Sequence, residues 1–427
     1  MTKTRFGSLA LLGVWTRSGA RRVGWKRGAR VSRALVWAAA SAGFLSSAGW
    51  VRAEPERGSV GTEFEDGVKL RVLSFNVWGV PRITPELEGR MRALPGAIAG
   101  EGADLVLLQE LWEPAHAEAV ARALREKGYG YALYWAQPAR GETGLFAAAK
   151  WPLTPIGFQR YAAGRLPHSF WHLDWLVSKG VASFWLETPL GRVLVENTHL
   201  QAQYRTDRYE GERLSQACEL VFANRRYADS ALILGGDFNS GAAESPRRTL
   251  AALGGLVDAY PSAGDDTVYA RSGGGLALRV LAGRAVLSEP LRLDNGAVLA
   301  LSDHRAVRVD FALSRCSSCP RAAPRDSAAQ RAAVSDLERA AATTHGRVAL
   351  SLLAALASAF VAVFWRRQRR RARPTRIGRG VYRLGMAFLM LGFVWSFYLA
   401  SVYYPLRGHT LHGILRALER EGVTNRG

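Results

Sequence analysis

The chain has 427 residues, 48% of them apolar, which is ample for a buried core and excludes wholesale disorder. Its formal net charge of +21 is unevenly placed: residues 1–53 hold ten Lys and Arg and no acid, and residues 347–383 hold ten Arg and no acid. Residues 54–313 hold 28 basic and 31 acidic side chains, a balance of −3, so the globally positive groove that a nucleic acid requires is not expected there.

Taken in chain order, residues 1–33 are rich in Arg, Lys and Gly, and residues 34–51 form an apolar, small-residue run ending at Val51-Arg52-Ala53. This pattern predicts an export signal or an N-terminal anchor over 1–53. Residues 54–313 read as a globular α/β domain. Short runs rich in Val, Leu and Phe, such as KLRVLSFNV, DLVLLQEL, GLFAAA, VASFWLE, RVLVENTHL, ALILGGDF and RAVRVDFAL, predict strands, and Thr188-Pro189-Leu190-Gly191 predicts a hairpin turn. Helical spacing falls between them at 114–127 and 209–227. Two face-to-face sheets with helices outside are expected.

Residues 314–346, rich in Ala, Arg and Ser, are expected to be a linker. Two uncharged runs follow, 348–365 (18 residues) and 384–404 (21 residues), each long enough to cross a bilayer. They predict two transmembrane helices over 347–405, with 406–427 as a short tail. Between them, Arg366 and Arg383 bound a loop with nine Arg. The positive-inside rule puts this loop in the cytoplasm and the globular domain on the other side, as an export signal also would. The three cysteines are too few for a disulfide framework. Cys316 and Cys319 are expected to be a small local disulfide or two idle thiols, and Cys218 a buried helical residue.

Five motifs end predicted strands: Ser74-Phe75-Asn76, Leu108-Gln109-Glu110, Asn197-Thr198-His199, Gly235-Gly236-Asp237-Phe238-Asn239 and Leu301-Ser302-Asp303-His304. Strand ends at one rim would bring their polar groups together. A phosphodiester repels a nucleophile, and a hard cation on oxygen ligands offsets that charge, which suits Mg²⁺. Glu110 is the first candidate ligand, with Asn76 and Asp303 assisting. His304 is the candidate base for water, and Asp237 could orient that water or the imidazole. Asn239 and His199 could donate hydrogen bonds to the equatorial oxygens as charge builds.

In this order the motifs resemble the endonuclease/exonuclease/phosphatase superfamily over about 69–313, and within it the neutral sphingomyelinases: RVLSFNVWGVP, LLQELWEP, GLFAAAKWPL, NTHLQAQY and LSDHRAV carry the likeness. The resemblance implies a four-layered α/β sandwich and Mg²⁺-dependent phospholipase C-type cleavage of sphingomyelin or a related phospholipid, with no nucleic acid as partner. Asp174-Trp175-Leu176-Val177-Ser178-Lys179-Gly180 is similar to the D-x-x-x-x-K-[GA] segment of that group, which implicates Asp174 and Lys179 near the site. The aromatic cluster before it, Phe170, Trp171 and Trp175, is expected to be mainly core. One element departs from the pattern: the strand expected to carry an Asp supporting the catalytic histidine corresponds to Leu276-Ala277-Leu278-Arg279-Val280-Leu281, which has no acid. This leaves the partner of His304 unassigned. The rival readings are a nuclease or phosphoinositide phosphatase on the same fold, and a membrane-bound binding module without activity.

Overall fold

A computed structural model describes residues 67–420 apart from 137–141, 165–171, 206–208, 262–263, 318, 320–326 and 370–375. The expected signal or anchor at 1–53 lies outside the described residues, as do Phe170 and Trp171. In chain order the elements are β1 (Val68–Asn76), α1 (Leu87–Gly100), β2 (Leu105–Gln109), α2 (Pro114–Glu126), β3 (Tyr131–Tyr134), β4 (Phe146–Ala149), β5 (Leu153–Arg160), β6 (Gly180–Thr188), β7 (Gly191–His199), α3 (Glu210–Asn224), β8 (Leu232–Asp237), α4 (Ser245–Gly254), β9 (Val257–Asp258), β10 (Asp266–Arg271), β11 (Leu276–Val286), β12 (Leu291–Arg292), β13 (Val298–Leu299), β14 (Ala306–Arg315), α5 (Ser327–Arg369), α6 (Arg376–Tyr398) and α7 (Tyr404–Arg420).

The central strands are apolar on both faces because both faces are covered. On β1, Leu70 and Val72 point into the core between the sheets, while Leu73 and Phe75 meet Met91, Leu94 and Ile98 of α1. On β8, Ile233 enters the same inter-sheet core, while Leu232 and Leu234 meet Leu220 of α3 and Leu250 of α4. The result is the expected four-layer sandwich. One sheet runs β11-β14-β1-β2-β4-β3 and the other β5-β6-β7-β8-β10-β9. β1 and β2 are parallel, as are β7 and β8, whereas β14 and β10 are antiparallel to β1 and β8. The C-terminal ends of four strands and the N-terminal ends of β10 and β14 therefore share one rim.

A buried polar layer fixes the two sheets just below that rim. Gln109 Nε2 donates to Asn197 Oδ1 at 2.7 Å, and Asn197 Nδ2 donates to the carbonyls of Leu108 (2.9 Å) and Phe146 (3.0 Å). Each buried donor thus finds an acceptor on the opposite sheet.

Glu196, on β7, is 1% exposed and accepts from Ser183 Oγ at 3.2 Å. Burial pushes its carboxyl up to about 7, against hydrogen bonds from Asn224 and Ser183 and the charges of Arg271 and Arg226. Between its ordinary 4.5 and that value, the folded state binds more protons than the unfolded one, so stability falls as pH rises through this window. Glu196→Gln should therefore flatten the dependence and stabilise the protein above pH 7 by roughly 2–3 kcal/mol, with no gain below about pH 4.5. Urea unfolding at pH 4 and pH 8 measures both.

The C-terminal region differs from expectation. The stretch read as a linker is helical from Ser327 onward and continuous with the first apolar run. Its Ala-rich composition favours helix, and Val334, Leu337 and Ala341 recur on one face. That face packs with Leu214 and Cys218 of α3 and with Leu411, Ile414 and Leu418 of α7. The short tail is thus largely a helix docked on the catalytic unit. Asp336 accepts from Ser245 Oγ and Arg248, at the start of α4. Beyond this junction the apolar side chains lie open: Leu350, Leu353, Leu356 and Phe360 on α5, and Phe388 and Leu391 on α6, are all exposed. α5 and α6 are candidate membrane spans by length and composition.

Candidate active site

Six polar side chains converge at the rim. Asn76, the last residue of β1, is fully buried; its Nδ2 donates to Glu110 Oε1 (3.0 Å) and to Asp237 Oδ2 (2.9 Å). His199, the last residue of β7, places Nε2 3.4 Å from Asp237 Oδ2 and 3.9 Å from Glu110 Oε1. His304, just before β14, places Nε2 3.9 Å from the same Asp237 Oδ2. Its Nδ1 is 2.6 Å from Oδ2 of Asp266, the first residue of β10 and the register partner of Asp237.

Asp266 corrects the sequence reading. The stretch at 276–281 that lacks an acid belongs to β11, an edge strand paired with β14. The carboxylate that orients His304 comes from β10 in the facing sheet.

Three non-glycine residues at the rim have left-handed backbones: Trp78 (φ 48°), Glu110 (φ 60°) and Asn239 (φ 48°). Such conformations are costly and persist where the surroundings enforce them. Trp78 N donates to Asn76 Oδ1 (2.9 Å), and Asn239 N donates to Asp237 Oδ1 (2.8 Å). Gly79 N donates to the Glu110 carbonyl at 2.9 Å, and a Cβ on Gly79 would lie 2.4 Å from that oxygen, so only glycine permits this approach.

The charges are matched to this crowding. Burial pushes the Glu110 carboxyl up, although Lys179 and the Asn76 amide oppose it. Burial and the Lys179 ammonium hold His199 well below its ordinary value, so it is neutral. Burial alone would lower His304, but Asp237, Asp266 and Asp303 outweigh it and raise it to about 11. Lys179 is 6% exposed, with Nζ 2.7 Å from His199 Nε2 and 3.6 Å from Asp174 Oδ1. Asp174 Oδ2 accepts from Ala202 N at 2.7 Å.

The other expected residues are placed less simply. Asn239 is next to the site, but its Nδ2 donates to the Leu200 carbonyl (3.0 Å). Asn76 offers the two carboxylates its amide hydrogens, because its oxygen is taken by Trp78 N, so it bridges the carboxylates in place of presenting an oxygen for a cation. Asp303 is exposed and, apart from the Ser302 hydroxyl at 3.3 Å, stands outside both clusters of ligand atoms. Those clusters are Glu110, His199 and Asp237, and Asp237, Asp266 and His304, each with ligand atoms within 4.8 Å of one another. Two carboxylates and an imidazole, pressed together with Glu110 displaced upward by burial, fit a small hard divalent cation better than a soft one.

Strand ends from two sheets gather carboxylates, imidazoles and an amide at one rim, a set that could hold a metal ion. The chain belongs to the Endonuclease/Exonuclease/phosphatase family, whose sequence profile matches residues 73–336. It is 34% identical to an inositol phosphosphingolipids phospholipase C of Schizosaccharomyces pombe over 209 residues, 48% of this chain and 49% of that protein. It is 30% identical to human sphingomyelin phosphodiesterase 2 over 199 residues, 45% of this chain and 46% of that protein. The chain spans about half the length of these curated relatives. Among solved structures it is similar to sphingomyelinase C of Streptomyces griseocarneus, at 22% identity and TM-score 0.43 over 57% of this chain and 99% of that one.

Proposed function

We propose that this chain is a membrane-held, Mg²⁺-dependent phosphodiesterase that cuts sphingomyelin or a related phospholipid between phosphorus and the lipid alcohol. The observation that carries the proposal is the convergence of Glu110, His199, Asp237, Asp266 and His304 on one rim beside Lys179. Similarity to sphingolipid phosphodiesterases supports this substrate class, as does Lys179, from the segment that resembles the sphingomyelinases, at 2.7 Å from His199 Nε2.

Glu110 and Asp237 would hold the cation, with His199 as a neighbouring nitrogen. Bound there, a divalent cation supplies charge that offsets the phosphodiester and counters the carboxylate field that keeps His304 protonated. His304 Nε2 takes a proton from the attacking water, while Asp266 holds Nδ1 and fixes the ring. Lys179 and Asn239 face the charge that builds on phosphorus oxygens. Water adds to phosphorus, the bond to the ceramide or diacylglycerol oxygen breaks, and the alkoxide takes a proton from solvent while His304 releases to solvent the one it took from water.

The setting supports action at a bilayer. α3 and α4 begin at the rim end of the sandwich, and their first turns meet the stretch of α5 and the start of α7 that border the apolar runs: Tyr403 Oη donates to Glu212 at 2.9 Å, and Asp336 meets Ser245. These contacts support a reading in which the rim faces the side from which the spans depart. The Arg-rich stretch at 366–383, which includes the end of α5 and the start of α6, favours a cytoplasmic position, which would set the catalytic unit on the opposite face. With Asp266 on His304, the main argument for an inactive module is gone, and the −3 balance of the central domain disfavours a nuclease. The test is incubation with Mg²⁺ and vesicles bearing choline, ethanolamine or inositol headgroups, with supercoiled DNA in parallel. Release of a phosphorylated headgroup is expected; nicked DNA with no headgroup released would overturn the reading.

A further inference from the structure

Between α7 and the start of α3, the structure encloses a cavity of about 330 Å³, within the range of small-ligand sites. Its walls include Arg160 at the end of β5, Glu212 and Ser215 on α3, and Tyr403, Leu406 and Arg407 around the start of α7. Two oxygens here point to a ligand. Ser215 and Glu212 are each 2% exposed, and neither Ser215 Oγ nor Glu212 Oε2 has a hydrogen-bond partner. Buried polar atoms are rarely left so. The other Glu212 oxygen accepts from Tyr403 Oη and lies 3.0 Å from Arg407 Nη1. The cavity thus offers two guanidinium groups, one carboxylate and a hydroxyl.

Its position narrows the ligand further. Tyr403 and Leu406 lie where one π-helical turn joins α6 to α7, at the end of the second apolar run, which in a bilayer would be the depth of lipid headgroups. Leu406 is 53% exposed and continues the apolar surface of the spans.

We infer that this cavity is a headgroup site for a membrane aminophospholipid, its phosphodiester held by Arg160 and Arg407 and its primary ammonium by Glu212 Oε2 and Ser215 Oγ. The ammonium supplies the hydrogen-bond donors that both oxygens lack, and its charge answers the carboxylate. A choline headgroup has no N–H to give, and a glycerol or inositol headgroup has no positive charge. This inference rests on reading the hairpin as a membrane anchor, and it concerns a cavity that shares no lining residue with the catalytic cluster.

The test is native mass spectrometry of the detergent-purified full chain with dioleoyl phosphatidylethanolamine, phosphatidylcholine and phosphatidylglycerol. Retention of the ethanolamine lipid should exceed that of the other two by about tenfold, the factor expected for one charge-assisted hydrogen bond. Glu212→Gln and Ser215→Val should each erase that preference, and Arg160→Gln should weaken retention of all three lipids. Unchanged thermal unfolding and unchanged hydrolysis of a short-chain soluble substrate confirm that the variants are folded. Equal retention of the three lipids, or a preference that survives Glu212→Gln, overturns the inference. Flotation with vesicles tests the anchor separately: a chain that fails to float overturns the membrane setting and this site with it, whereas flotation with equal lipid retention overturns the site alone.

Discussion

Asp266→Asn should lower kcat on a lipid phosphodiester by about 10²–10⁴-fold, with little change in KM, because it removes the charge that holds His304 at Nδ1 without touching the substrate. His304→Ala should lose at least as much. The informative variant is the double one. Residues that act as a unit are strongly non-additive, so adding Asp266→Asn to His304→Ala should cost almost nothing more. A double variant that multiplies the two losses would show that Asp266 acts elsewhere, for instance through Asp237, its register partner. Circular dichroism and the urea midpoint establish that the sheets persist.

The second large effect is at Glu110. Glu110→Gln should lower turnover by roughly 10³-fold or more at saturating Mg²⁺, since it neutralises one of the two carboxylates proposed to hold the cation. Turnover alone does not separate a lost metal from a lost catalyst. Binding to the folded state raises the melting temperature by mass action, so the wild-type chain should melt higher as Mg²⁺ is added, and Glu110→Gln should show no such rise. Asp303→Asn provides the contrast. It is exposed and stands outside both ligand clusters, so it should keep the Mg²⁺-dependent rise and most of the activity. The reverse pattern would restore Asp303 as a ligand.

These two residues mark what the sequence disclosed and what it hid. Glu110, His199 and Asp237 were legible because each stands at or just after the C-terminal end of an apolar strand, and parallel central strands carry those ends to the same rim, whereas His304 reaches it from the entrance of the antiparallel β14. Lys179 and Asp174 were legible only through their spacing relative to a known pattern. Asp266 was missed because it opens its strand: Gly264-Asp265-Asp266 reads as a loop, and the apolar alternation that identifies β10 begins only after it. Asp303, expected to assist Glu110 at the cation, stands beside His304 in the chain but outside both ligand clusters. The orientation of the Asn76 amide follows from Trp78 N, a left-handed residue two positions on, which no composition signals. The helix at 327–346 did have a signal, in its alanine content and its Val334, Leu337 and Ala341 face, but its partner surface on α3 lies more than a hundred residues away.

The central claim is that this rim directs water to phosphorus, and hydrolysis in ¹⁸O-enriched water with Mg²⁺ tests it most directly. Mass spectrometry of the products should find one ¹⁸O in the phosphorylated headgroup and none in the ceramide or diacylglycerol hydroxyl. Label in the lipid alcohol, or the same labelled headgroup released in the presence of EDTA, would contradict it.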